Sequence, residues 1–315
     1  MPGTGSTAAS AVASAAIIVP AAIPVTAPAA HAESSTHADQ LTRLLASTIV
    51  HPGGPGSARW EHAAAIALAP TKRAAIAWLI ADAIMESRAG ASGAHALWRQ
   101  ATLAGTKVSA GEQGLISAFI EDVFGLPGQP EKNIDHLVGH VGEWLWYLHA
   151  KELVPSDRDL LYLETPKFTV VDSGGDGFAV YRPTAAGDTF YRLWEMKKQT
   201  GGGHPSSATG TAYTQLTDHG SRYLARLTAP LSMIGGDVQA LAKDLVNLWL
   251  TGSHRAGVGV SVVSDRVPPP SKCFSTMGTR FPQFPNAGQL EGLLVTVENL
   301  VEVAITVREY LWTAL

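Results

Sequence analysis

Residues 168–198 read FTVVDSGGDGFAVYRPTAAGDTFYRLWEMKK, and the fold turns on how that stretch divides. Runs 168–171, 177–182 and 190–197 are rich in β-branched and aromatic residues, and Gly, Asp, Ser and Pro separate them as turn punctuation. Connections this short predict three successive strands in an antiparallel meander.

Outward from the meander the period becomes helical. Upstream, 134–153 carries Leu137, Val141, Trp144, Leu145 and Leu148 on one stripe and is closed by Pro155. Downstream, the glycine loop 201–203 with His204-Pro205 leads to helices over 213–227 and 238–250. An alternating strand at 258–263, a proline-rich loop at 267–285, a strand at 293–297 and a terminal helix at 300–311 complete the chain. Helix, three strands, two helices, two strands and a helix predict an α/β fold, a central mixed β-sheet flanked by helices.

Nothing in the first third carries a chemical signature. Residues 1–36 are a low-complexity stretch of Ala, Ser, Pro and Gly, expected to be a disordered tail. Residues 37–127 read as a helical region, in which the Ala-rich run 60–85 is divided by Pro70 and the helix 111–124 stops at Gly125. The remainder, 128–315, reads as the domain that bears the chemistry.

The bulk numbers are permissive. With 315 residues, 46% of them hydrophobic, the chain can bury a large core. Net charge is -4 with 16% charged residues, so no global basic field announces nucleic acid. The single cysteine, Cys273, excludes an intramolecular disulfide and a cysteine zinc cluster, and it suits a reducing, cytoplasmic setting. Pro20 and Pro24 interrupt the longest apolar stretch, so no membrane span or membrane partner is expected. Ala30-His31-Ala32 imitates a signal-peptide cleavage site, but no Lys or Arg precedes it.

The chemistry concentrates in the meander. Asp176 opens its second strand inside Gly174-Gly175-Asp176-Gly177, and Trp194-Glu195-Met196-Lys197 closes the third. Residues two apart on a strand share a face, so Glu195 and Lys197 stand together, about 6.6 Å apart along the chain. Phosphodiester hydrolysis needs hard oxygen ligands for Mg²⁺ or Mn²⁺, a positioned water, and a cation for developing charge. Asp176, Glu195 and Lys197 are the minimal set, with Asp172 the rival of Asp176.

This order of elements and residues resembles the PD-(D/E)xK nuclease superfamily, with Asp176 matching its first acid and Glu195-Met196-Lys197 its E-x-K. The resemblance covers about 134–263 and implies a Mg²⁺-dependent deoxyribonuclease. It further implies a metal ligand at Glu143 on the preceding helix, together with Asp176 and Glu195. Gln199, two residues past Lys197, and Gln215 on the following helix match auxiliary positions of the family. The stretch Leu137 to Leu145, with the Asp-Gly strand and the closing strand and helix, also looks like the nuclease component of the Hachiman antiphage system. That likeness implies DNA as substrate, a helicase subunit as partner and a role in antiviral defence or restriction.

Other readings compete at single residues. Glu195 and Lys197 read alternatively as an exposed cross-strand charge pair, although the aromatics around them argue for a buried strand. Glu143 lies opposite the apolar stripe of its helix, as a solvated residue or a site residue would. His136, His140 and Glu143 share one helical face and could hold Zn²⁺, but the H-E-x-x-H pattern is absent. The alternatives for the whole protein are a catalytically silent DNA-binding or effector-docking subunit with a nuclease fold, and a secreted zinc hydrolase.

Overall fold

In the computed structural model, which describes residues 25–167, 175–267 and 270–315, the described strands form one sheet. They are β1 (Ser47–His51), β2 (Arg59–Ala65), β3 (Arg158–Leu163), β4 (Gly177–Pro183), β5 (Phe190–Gln199), β6 (Val258–Ser264) and β7 (Leu290–Val297). Their order is β1-β2-β7-β6-β5-β4-β3, with β2, β7, β6 and β5 mutually parallel and the pairs at both edges antiparallel. The expected mixed sheet with flanking helices is therefore present. The helices are α1 (Ala27–Thr36), α2 (Leu41–Leu44), α3 (Pro70–Ala89), α4 (Ala94–Ala104), α5 (Ala110–Phe124) and α6 (Ile134–Glu152). After the meander come α7 (Pro205–Ser232), α8 (Gly236–Ala242), α9 (Leu245–Leu250), α10 (Met277–Arg280) and α11 (Leu300–Trp312).

Two cores sandwich the sheet. One joins Trp194, Met196, Val263 and Val295 to α1, α3, α6 and α11; the other joins Leu193, Tyr191, Val260 and Leu294 to α7, α8 and α9. Strands covered on both faces lose the alternation of a half-exposed strand, and β6 and β7 are buried at every position. The same burial makes α11 a helix despite its β-branched run, because packing overrides a propensity worth only tenths of a kcal/mol per residue.

Several expectations change. The helical reading of 37–127 fails at 47–51 and 59–65, where β1 and β2 extend the sheet. Trp60 to Ala65 looked helical because alanine is a strong helix former, but β1 and β7 hold it between them as a strand. Pro70 begins α3 rather than dividing a longer helix, the first helical turn being where its missing N–H is harmless. Within the stretch read as a disordered tail, Ala27–Thr36 is helical, and Ala27 and Ala30 are buried in the core shared with α3. The Ala30-His31-Ala32 triplet is part of that helix. The first strand of the meander is β3, while the strand expected at 168–171 lies outside the described residues, as does Asp172. The helix expected over 238–250 is two short ones. Among the described residues no helix is long and apolar enough to cross a membrane.

Candidate functional site

The cluster forms where β4 begins and β5 ends. Gly177 pairs with Trp194, so the next rung brings Asp176 opposite Glu195. Asp176 extends the ladder in an unusual way: its N–H donates to the Trp194 carbonyl (3.1 Å), and its own Oδ2 accepts from the Met196 N–H (2.8 Å). A side-chain oxygen thus takes the place of a backbone carbonyl and fixes that carboxyl beside Glu195. Gly177 is required here, because a Cβ would stand 2.3 Å from the Trp146 ring.

Lys197 reaches both acids, its Nζ lying 2.6 Å from Glu195 Oε1 and 3.9 Å from Asp176 Oδ2. Glu195 is only 2% exposed, which removes the reading of an exposed surface pair. Its Oε2 meets no donor among the described residues. Burial, and then the Asp176 charge, push the Glu195 carboxyl up; burial, and then the Glu143 charge, push Asp176 up. One lysine does not offset these two buried acids.

Glu143 projects from α6, 22% exposed, toward the same field. Burial raises its carboxyl to about 7 against the pull of Lys167, Lys197 and Arg88. Behind it, His140 is 1% exposed, and its Nε2 faces both Arg88 Nη2 (2.9 Å) and Trp144 Nε1 (3.0 Å). Both are donors, so Nε2 is the acceptor and Nδ1 carries the proton of a neutral ring. Burial, then Arg88, hold that imidazole well below its ordinary range. Nδ1 lies 3.4 Å from Glu143 Oε2. The His140 ring is already committed at Nε2, which counters the zinc reading. Among the described residues no three His, Cys, Asp or Glu side chains form a ready-made metal cage, neither His136, His140 and Glu143 nor Asp176, Glu195 and Glu143.

The expected glutamines part ways. Gln199 folds onto the glycine turn, with its amide where a Cβ on Gly203 would have to sit, and it does not join the acids. Gln215 lies on α7 with a buried Oε1 that has no partner among the described residues. One and two turns further along the same face stand His219 and Tyr223. Burial, then Glu195 and Asp176, push the Tyr223 phenol up, which puts this ring inside the field of the carboxyls. His204 instead caps α7 through Nδ1.

Sequence reading passed over Tyr223, Arg88, Glu164 and Lys167, and it took His140 only as a zinc ligand. The first could have been found at i+8 from Gln215. Arg88 could not, because α3 meets the site only through the fold. Two cavities border the cluster: one of about 230 Å³ between α6 and β5–β6, touching Glu143 and Lys197, and one of about 200 Å³ touching Glu164, Lys167, Gly175 and Tyr223. The cluster lies at the carboxyl end of β5, where open α/β sheets bind ligands. Compared with known proteins, the chain matches no family model and no curated protein.

Proposed function

We propose that the chain is a Mg²⁺- or Mn²⁺-dependent nuclease of the PD-(D/E)xK kind that hydrolyses DNA phosphodiesters. The observation that carries this is the cross-strand placement of Asp176 opposite Glu195 with Lys197 Nζ 2.6 Å from Glu195 and 3.9 Å from Asp176. A divalent ion suits the donor set, since Mg²⁺ takes one or two carboxylates and completes its shell with water. The buried, donorless Oε2 of Glu195 and the raised carboxyls are what a site short of positive charge looks like.

Asp176 and Glu195 would hold the ion, with Glu143 reaching it through water. When bound, such an ion supplies a water of lowered pKa and charge for the phosphate oxygens. Lys197 orients the attacking water and offsets negative charge on the phosphorane. Tyr223 borders the site from α7. The single, buried Cys273 fits work in the reducing cytoplasm. The sequence resemblance extends the proposal to antiphage defence beside a helicase subunit.

The test is cleavage of plasmid and linear DNA by the purified chain with Mg²⁺, Mn²⁺ or EDTA. Glu195→Gln, Asp176→Asn and Lys197→Met should each lower the rate by about 10² or more. Undiminished cutting by all three refutes the assignment. Metal-independent DNA binding with no turnover would instead favour the silent docking subunit.

A further inference from the structure

The cavity between α6 and β5–β6 is lined by Glu143 and Lys197 but by neither Asp176 nor Glu195, and it meets the acid pair through Lys197. Its volume is about 230 Å³. A water occupies roughly 30 Å³ of liquid, while pockets for drug-sized ligands begin near 300 Å³, so this space takes one flat ring system and not a base pair. Met196 and Val263 give it apolar walls, and Gly139 leaves one side open. Ser261, 2% exposed, also lines it. His136 and Lys197 line it as well, and Lys197 Nζ lies 2.6 Å from Glu195 Oε1.

We infer that this cavity receives a single unstacked nucleobase next to the cleaved phosphate, so that the substrate is DNA with an unpaired nucleotide at the cut: a single strand, a flap or a frayed end. The inference rests on the nuclease reading above and names its substrate class. A duplex keeps its bases stacked inside, and a base enters an enclosed protein pocket only after leaving the helix. Single strands provide that base without unpairing. Apolar faces then sandwich the ring, while Ser261 and His136 offer donors and acceptors to its edge. Lys197, shared between cavity and acids, puts the adjoining phosphate at the metal site.

Gly139 provides a clean test. A Cβ there would meet only Lys198, at 3.9 Å, so a larger side chain fits the helix and grows into the cavity. Gly142, by contrast, would drive a Cβ to 2.5 Å from Val263 and part α6 from the sheet. Gly139→Leu also replaces a poor helix former with a good one, so folding should hold. Wild type should cut single-stranded and flapped oligonucleotides at least tenfold faster than blunt duplex of the same sequence. Gly139→Leu should lose at least tenfold on those substrates with its melting temperature unchanged or raised. Equal wild-type rates on single and double strands, or an unaffected Gly139→Leu, overturn the inference while leaving the nuclease reading intact. If neither protein cuts any DNA, the nuclease reading fails, and binding of a fluorescent oligo-dT by polarisation decides the cavity alone. Affinity at least tenfold weaker in Gly139→Leu sustains it; equal affinity removes it.

Discussion

Glu143→Gln should stabilise the protein, and by a pH-dependent amount. The substitution keeps the size of the side chain but removes a buried charge. Burial raises the Glu143 carboxyl from 4.5 to about 7. At ~1.36 kcal/mol per pH unit, that difference corresponds to about 3 kcal/mol withheld from the native state when Glu143 is ionised. Water reaching the 22% of the side chain that is exposed reduces this to about 2 kcal/mol. The sign follows from a native pKa above the unfolded one: the stabilisation tied to the protonated acid is complete below pH 4.5 and is lost as pH rises through about 7. Wild type therefore falls behind the glutamine variant over that window. Urea denaturation in EDTA, followed by tryptophan fluorescence from pH 5 to 8, measures the gap. It should reach about 2 kcal/mol at pH 8 and close near pH 5. No difference at pH 8, or a gap that widens on acidification, would refute the reasoning.

Gly142→Ala should cost about 1–3 kcal/mol by overpacking against Val263, and Val263→Ala in the same chain should recover part of it; additive losses in thermal melts would count against a direct clash. Trp144→Phe removes the donor to His140 Nε2 together with part of a fully buried indole, and it should cost about 2 kcal/mol and shift the His140 imidazole resonances in NMR. Arg158→Met strips the buried Glu291 of its two-pronged partner, and a loss of about 3–5 kcal/mol in urea midpoint measurements is expected, with a loss under 1 kcal/mol contradicting it.

How far the sequence was legible depends on whether the deciding contact was local. The pairing of β4 with β5 could be read because turn residues and alternation lie within a few residues of each other, and the i, i+2 spacing of Glu195 and Lys197 carried the core of the site. β2 could not. Its Trp-Glu-His-Ala-Ala-Ala has the composition of a helix, and it is a strand because β1 and, more than 200 residues away, β7 pair with it on either side. β3 was likewise hidden, since Arg-Asp-Leu-Leu-Tyr-Leu alternates poorly and its register to β4 shifts between Leu160 and Tyr162. Glu143 was ambiguous for a related reason. The helical wheel shows which side is apolar but not which element stands opposite, and here Lys197 from β5 and Lys167 occupy that space. Arg88, from a region with no visible signature, became part of the site only when α3 packed against α6.

The same sheet holds a second buried carboxylate, and comparing the two decides which one is available for chemistry. Glu291, at the amino end of β7, is 7% exposed, yet two guanidiniums enclose it: Arg158 binds both of its oxygens, with Nη2 3.0 Å from Oε2, and Arg192 Nε lies 3.3 Å from Oε1. Its carboxyl is held below the ordinary range because these cations outweigh burial. Both of its oxygens are engaged and its charge is more than matched. At the carboxyl end of the parallel strands the balance is reversed. Glu195 is buried as deeply, shares one lysine with Asp176, keeps Oε2 without a donor and is pushed up. Burial alone would treat the two alike, so the difference lies in compensation. A fold that encloses Glu291 in two arginines could have done the same for Glu195; leaving it with a single lysine is costly to stability, and under the proposed function a cation would complete the site.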